Sequence, residues 1–209
     1  MNIKLNPRLV AATAQFKASA DIRYYLNGVY AEPIASGGVL LVATNGHAMC
    51  MWRDTEGTVD RPVILRTGTK LLSACAHKDA KLLHLVADRL TVTDRHNKEL
   101  FVQPNREKWE IEGTFPDWKR VIPKTEAEPT LFDGINPSYV SLVTNSLRIA
   151  AGKDKWFGGI SFNQPEKEKS IVVSSSNIAA ENFVAVIMPL RESVSHQPAW
   201  VQQLKGGAA

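Results

Sequence analysis

Cysteine is scarce: the 209 residues hold two, Cys50 and Cys75. One pair excludes a disulfide-dense scaffold and a Cys-ligated zinc module, and suits a reducing, cytoplasmic compartment. Long apolar runs are missing too. Nothing approaches the roughly 20 residues that cross a bilayer, so no membrane association is expected. Met1–Gln15 lacks the basic start and apolar core of a secretion signal. Catalytic constellations are also absent. There is no G-x-x-x-x-G-K phosphate loop, no nucleophile elbow and no H-E-x-x-H pair. His77 and His84 stand seven apart with no third ligand nearby, so no metal is expected. Asp94-Arg95-His96 reads as a hairpin tip. Cys50 lies in the apolar run Ala48–Trp52, which reads as buried strand, so it is expected to be a core thiol. Nothing points to an enzyme or a cofactor.

What is there is ordinary globular material, 44% hydrophobic and 22% charged, enough for one large domain or two small ones. With 25 basic and 21 acidic residues the net charge is +4, which permits a nucleic-acid partner without demanding one. Three stretches read as amphipathic helices. The first runs from about Pro7 to Ala20, with Asn6 as N-cap, Pro7 at the first helical position and Leu9, Ala12, Thr13 and Phe16 on one face. The second runs from about Thr69 to Lys78, with Leu71, Leu72 and Cys75 inward. The third runs from about Pro137 to Ala151, capped by Asn136, with Tyr139, Val140, Val143 and Leu147 inward and Gly152 as stop.

Between the helices the pattern is β. Gly38–Ala43, Leu82–Ala87, Arg89–Thr93, Glu99–Gln103, Trp156–Phe162, Ser170–Ser174 and Phe183–Met188 read as strands, with a tight hairpin at Ala87-Asp88. The order short strand, helix, several strands recurs three times, over about 1–60, 61–124 and 125–192. An α+β fold with two units in a domain 1–124, one in a shortened domain 125–192, and a C-terminal tail 193–209 is the expected organisation. A short helix at Ala199–Leu204 is expected in that tail.

The three helices carry Arg8, Lys17, Lys70, Lys78 and Arg148, Lys153 follows the third, and none carries Asp or Glu. Faces of one sign suit a polyanion, because Lys and Arg neutralise phosphates and release counterions.

Three segments then stand out in order: D-I-R-Y-Y-L-N-G-V at 21–29 with V-A-T-N-G-H-A-M at 42–49, F-P-D-W-K-R-V-I-P at 115–123, and V-I-M-P-L-R at 186–191. Together they resemble the bacterial sliding clamp, the β subunit of DNA polymerase III. The resemblance covers about 1–192 and is best over the first 124 residues. It implies the DNA-clamp fold: repeated βαβββ units, helices on one face of antiparallel sheets, and no catalytic residues. It implies a homo-oligomeric ring that encircles duplex DNA as a processivity factor, with phosphate contacts from the helices. It also implies a pocket for short peptides of a polymerase, a clamp loader or repair proteins.

By resemblance that pocket falls on Leu26, Thr44, Gly46, His47, Met49, Pro116, Arg120, Val121, Val186, Met188, Pro189, Leu190 and Arg191. The apolar members suit an aromatic or leucine anchor; His47 and the arginines suit peptide backbone or carboxylate. Arg23, Tyr24 and Tyr25 match a segment that the family places near DNA, and join Arg8, Lys17, Lys70, Lys78, Arg148 and Lys153 as expected DNA contacts.

The chain departs from the family in three ways. G-H-R-L becomes Gly46-His47-Ala48-Met49, which is expected to remove a positive charge at the pocket edge. Glu192 follows the terminal arginine, and the remaining tail is long enough to lie across the pocket. Three units replace six, a size that suits a mobile element or phage; twelve units round a ring take four copies, or three if a fourth unit is hidden. The alternative is a monomeric module that binds clamp-binding peptides without encircling DNA.

Overall fold

A computed structural model describes residues 1–122, 134–152, 158–166, 168–176 and 181–190. The expected boundary at 124/125, the tail 193–209 with its expected helix, and the site residues Lys153 and Arg191 lie outside these residues.

The first unit is β1 (Ile3–Leu5), α1 (Pro7–Thr13), β2 (Val29–Pro33), β3 (Val39–Thr44) and β4 (Ala48–Asp54), with a two-residue β5 (Thr58–Val59) after it. The second is β6 (Val63–Leu65), α2 (Thr69–Cys75), β7 (Ala80–Val86), β8 (Arg89–Asp94) and β9 (Glu99–Gln103), followed by the single-turn α3 (Arg106–Trp109). The third is α4 (Pro137–Ala151), β10 (Ile160–Asn163), β11 (Ile171–Ser175) and β12 (Phe183–Ile187).

Local chemistry sets the element ends. Asn6 and Asn136 cap α1 and α4 alike, each side-chain oxygen accepting from the backbone N–H two residues on, with proline at the next position. Gly152 ends α4 at φ 89°, a conformation that glycine adopts without strain. Ala87 and Asp88, both at positive φ, make the two-residue turn that sets Val86 opposite Arg89.

The strands form two antiparallel sheets that exchange members. The five-stranded sheet runs β5-β1-β7-β8-β9, so β1 of the first unit pairs with β7 of the second. The seven-stranded sheet runs β10-β11-β12-β4-β3-β2-β6, so β6 of the second unit returns to pair with β2 of the first. The third unit joins through five residue pairs between β12 and β4.

Helices α1, α2 and α4 pack as a layer, α1 against both others, over one face of the sheets. The main core lies beneath them. It takes the residues of one parity from the seven-stranded sheet: Leu41 and Ala43 on β3, Ala48, Cys50 and Trp52 on β4, Ala185 and Ile187 on β12. Trp52 Nε1 donates to Ser146 Oγ of α4 at 3.0 Å, and its ring lies against Phe183. Three expectations change here. The second helix ends at Cys75 rather than near Lys78. The first helix is α only to Thr13 and continues as a 3₁₀ turn, Ala14–Phe16. It is also buried nearly all round, because α2 and α4 flank it.

Candidate functional site

Residues of the opposite parity on the seven-stranded sheet face away from the helices and build a second apolar cluster. Val42 of β3, Met49 and Met51 of β4, Ile64 of β6 and Val186 of β12 form its floor. Two irregular segments cover it. One is the loop after α1, ending in a 3₁₀ turn (Tyr24–Asn27) that buries Leu26. The other is a connector running from α3 to a second 3₁₀ turn (Trp118–Val121); it contributes buried Ile111 and Phe115 and half-buried Trp118 and Ile122.

These covers and this floor are where the three motif segments meet. Met49 and Val186 are register partners across β4 and β12. The backbone N–H of Met188 donates to His47 O at 3.0 Å, and Ala18 N–H donates to Leu26 O at 2.9 Å. Thr44 Oγ1 donates to Ala48 O at 2.9 Å and accepts from Gly46 N–H at 3.0 Å, closing the β3–β4 turn. Gly46 sits there at φ 91°, and a Cβ on it would stand 3.1 Å from the Arg23 guanidinium. The two parts of the first motif thus meet at this turn.

Among the described residues seven large apolar side chains are exposed: Met1, Ile22, Tyr24, Val86, Val121, Met188 and Leu190. Five of them belong to the motif segments. Val121 is 42% exposed, and Met188 and Leu190 are each 44% exposed, next to a floor that is buried. Isolated exposed apolar residues are normal; these three stand in segments that also feed the buried cluster, through Phe115, Trp118 and Ile122 and through Val186. His47 and Pro116 are exposed and Pro189 is half-buried. Arg120 is 83% exposed, 3.6 Å from Asp117. Ala48 lies in the main core with Cys50.

Electrostatics divide the expected DNA contacts. Lys70, Lys78 and Arg148 are exposed on or beside the helix layer. Arg8 is held: its guanidinium donates to Lys78 O at 2.9 Å and lies beside Gly152, between the ends of α2 and α4. Lys17 is half-buried, and burial lowers its pKa. Arg23, Tyr24 and Tyr25 belong to the cover of the second cluster rather than to the helix layer. Arg23 is paired with Asp21 at 2.7 Å, and its hydrogen bonds pull the Asp21 carboxyl down to about 2. The Tyr24 ring meets Tyr25 edge-on at 5.7 Å and packs against Gly113. Burial pushes the Cys50 thiol up, as befits a core group.

Two clefts are present among the described residues, the second bordering this cluster. One of about 560 Å³ runs between β1, the β4–β5 loop, Lys81 and the end of α4. The other, about 380 Å³, lies along β6 and the connector, with Arg61, Arg106 and Glu110 in its wall. Glu110 is the feature that sequence reasoning missed, since a charged residue between Trp109 and Ile111 gives no sign of burial. Burial pushes its carboxyl up, but the hydrogen bonds from Arg106 and Arg61 outweigh that and hold it below the usual carboxylate range.

No family model matches the chain. The beta sliding clamp of Caulobacter vibrioides is 28% identical over 163 residues, covering 71% of this chain and 40% of its own length. The chain therefore spans about two fifths of that relative. A DNA polymerase sliding clamp structure from Pseudomonas aeruginosa superposes with a TM-score of 0.66 at 19% identity, covering 92% of this chain and 66% of its own. A sliding clamp from the same organism bound to griselimycin gives 0.62 at 20% identity, with the same two coverages. The fold is the clamp fold of repeated βαβββ units. In sequence and in fold, the chain is similar to the bacterial beta sliding clamps over part of their length.

Proposed function

We propose that this protein is a non-catalytic processivity factor of the sliding-clamp kind. It binds duplex DNA without sequence preference through the helix layer and holds replication proteins, a DNA polymerase among them, by short peptides. The peptides dock over the second apolar cluster, with Met49 and Val186 buried beneath the site, Leu26 in its cover, and Val121, Met188 and Leu190 as the exposed contacts. The observation that carries this reading is the convergence of all three motif segments on one buried cluster at one side of one sheet, with Leu26 and Met49 from the first, Phe115 from the second and Val186 from the third. Met188 suits varied ligands because its side chain is flexible and polarizable. Thr44, Gly46, His47, Pro116, Pro189, Arg120 and Arg191 complete the surface; Arg8, Lys17, Arg23, Tyr24, Tyr25, Lys70, Lys78, Arg148 and Lys153 serve DNA. Units 1–124 and 125–192 act as the two domains, and copies of the chain associate round the duplex.

The test has two arms. Fluorescence anisotropy with a labelled duplex is read across a salt series, for the wild type and for Lys70→Glu with Arg148→Glu. The log–log salt slope of the wild type is expected to drop by about one for each phosphate contact removed. Calorimetry with griselimycin and with a short peptide ending Leu-Phe reads the second surface. Failure to bind DNA, griselimycin and peptide alike would overturn the proposal. Ligand binding without DNA binding, at monomer mass by light scattering, would leave the monomeric module.

A further inference from the structure

We propose that Glu110 is a positioning residue: it pins the connector Arg106–Ile122 to the sheet and so sets the wall of the peptide surface. This rests on the peptide reading above. Glu110 is 6% exposed. Arg61 Nη2 donates to its two oxygens at 2.9 and 3.0 Å, and Arg106 Nε donates to Oε2. The arginines approach from different elements. Arg61 precedes β6, whereas Arg106 opens α3. A carboxylate this deep is retained only when well partnered, and removing a partner from such a pair is far more disruptive than losing a surface ion pair.

The path of the chain beyond Glu110 depends on where that residue is fixed. Trp109 O accepts from Arg66 N–H at 2.7 Å, and Ile111 N–H donates to Ile64 O at 2.8 Å, so the chain here lies along the outer edge of β6. Residues 112–114 then run exposed. At Phe115 the chain turns inward, and its ring stacks on Tyr30 at 4.7 Å with 2° between planes. Phe115 touches the same cluster as Leu26, Met49 and Val186, and Trp118 and Ile122 continue the wall. Beyond residue 111 the connector makes no ladder with the sheet among the described residues; it is held at its near end, where Glu110 is clamped, and at its far end by Ser170 Oγ, which donates to Val121 O at 3.0 Å. The sheet leaves room for it: a Cβ on Gly28 would meet Ile111 Cδ1 at 2.9 Å and Leu65 O at 2.6 Å.

A residue of general structural value would lower stability without changing ligand binding by the folded protein. A positioning residue changes binding at a temperature where the protein is fully folded. The experiment compares wild type, Glu110→Gln, Arg106→Gln and the charge-swapped pair Arg61→Glu with Glu110→Arg. Calorimetry with griselimycin and the Leu-Phe peptide is paired with amide hydrogen exchange. In Glu110→Gln we expect affinity to fall by about tenfold, the scale of one charge-assisted hydrogen bond. Protection should be lost at residues 111–122 and kept in β2–β4. Arg106→Gln, which removes a half-exposed partner, should show the same pattern more weakly if Glu110→Gln does not fold. The swapped pair should recover only part of the loss, because it restores the link to the residue before β6 but sets a second arginine against Arg106. Unchanged affinity and unchanged protection in both single variants would overturn the pin. If the wild type binds neither ligand while protection at 111–122 still depends on Glu110, the peptide reading fails and the pin stands.

Discussion

The two faces of the seven-stranded sheet are built from alternate residues of the same strands, yet they are closed in different ways. Toward the helices, Cys50, Trp52 and Ala185 meet regular elements, and α1, α2 and α4 seal the core. On the other face, Met49, Met51 and Val186 meet a loop and a connector that hold only 3₁₀ turns and scattered backbone bonds. Regular elements satisfy their own backbone and can be packed tightly over a core. Irregular covers leave side chains half out, which suits a surface that must receive something. One sheet thus carries its structural core and its candidate binding site back to back.

That contrast can be broken from the core outward. Trp52→Ala should have the largest effect: a buried indole that bonds Ser146 and packs on Phe183 is worth about 3–5 kcal/mol on truncation. Urea unfolding followed by circular dichroism should show it, and ligand binding should vanish with the fold. Gly28→Ala comes next. Its new Cβ would press on Leu65 O and Ile64, at 2.6 and 2.7 Å, for about 1–3 kcal/mol of overpacking. Its urea midpoint should fall less than that of Trp52→Ala, while Tyr30–Phe115 contacts seen by aromatic NMR should be disturbed. Met188→Ala should change stability least, within about 0.5 kcal/mol for an exposed site. Its effect should show instead in griselimycin calorimetry. A large stability loss there would mean that the two faces are one core after all.

The sequence spoke more clearly for the helix side. Both Asn-Pro starts, the bounds of α4 and the Ala87-Asp88 turn were legible because each rests on a local rule, a cap or a positive-φ pair. Strands β1 and β6 were expected only as unplaced short strands opening their units, and β2 and β5 had no assignment: they hold two to five residues each, too few for a period to register, and β2 ends in proline. The run Ala48–Trp52 read as buried strand, but not that its two parities serve two clusters, since a strand buried on both faces loses its alternation. The motif residues were found by resemblance. Their meeting place depends on the register of β12 against β4, which joins residues far apart in the chain. The cation count on the helices also overstated what is free, since Arg8 hydrogen-bonds a carbonyl after α2. Glu110 stayed hidden because Arg61, 49 residues away, is brought to it only by tertiary structure, and the local i,i+4 partner Arg106 gives no sign of burial.

The strand exchange between the first two units bears on how the protein is made. Ile3 pairs with Val59 and Leu5 with Leu83, while Val29 waits for Leu65. As the chain leaves the ribosome, the first unit has its helix and hairpins but neither sheet complete. The β4 edge stays unpaired until Phe183–Ile187 arrives. Pairings of such sequence separation form slowly, and open edges invite pairing with other nascent chains. Synthesis pace and chaperone access, more than final stability, should therefore set the yield of this protein in a cell.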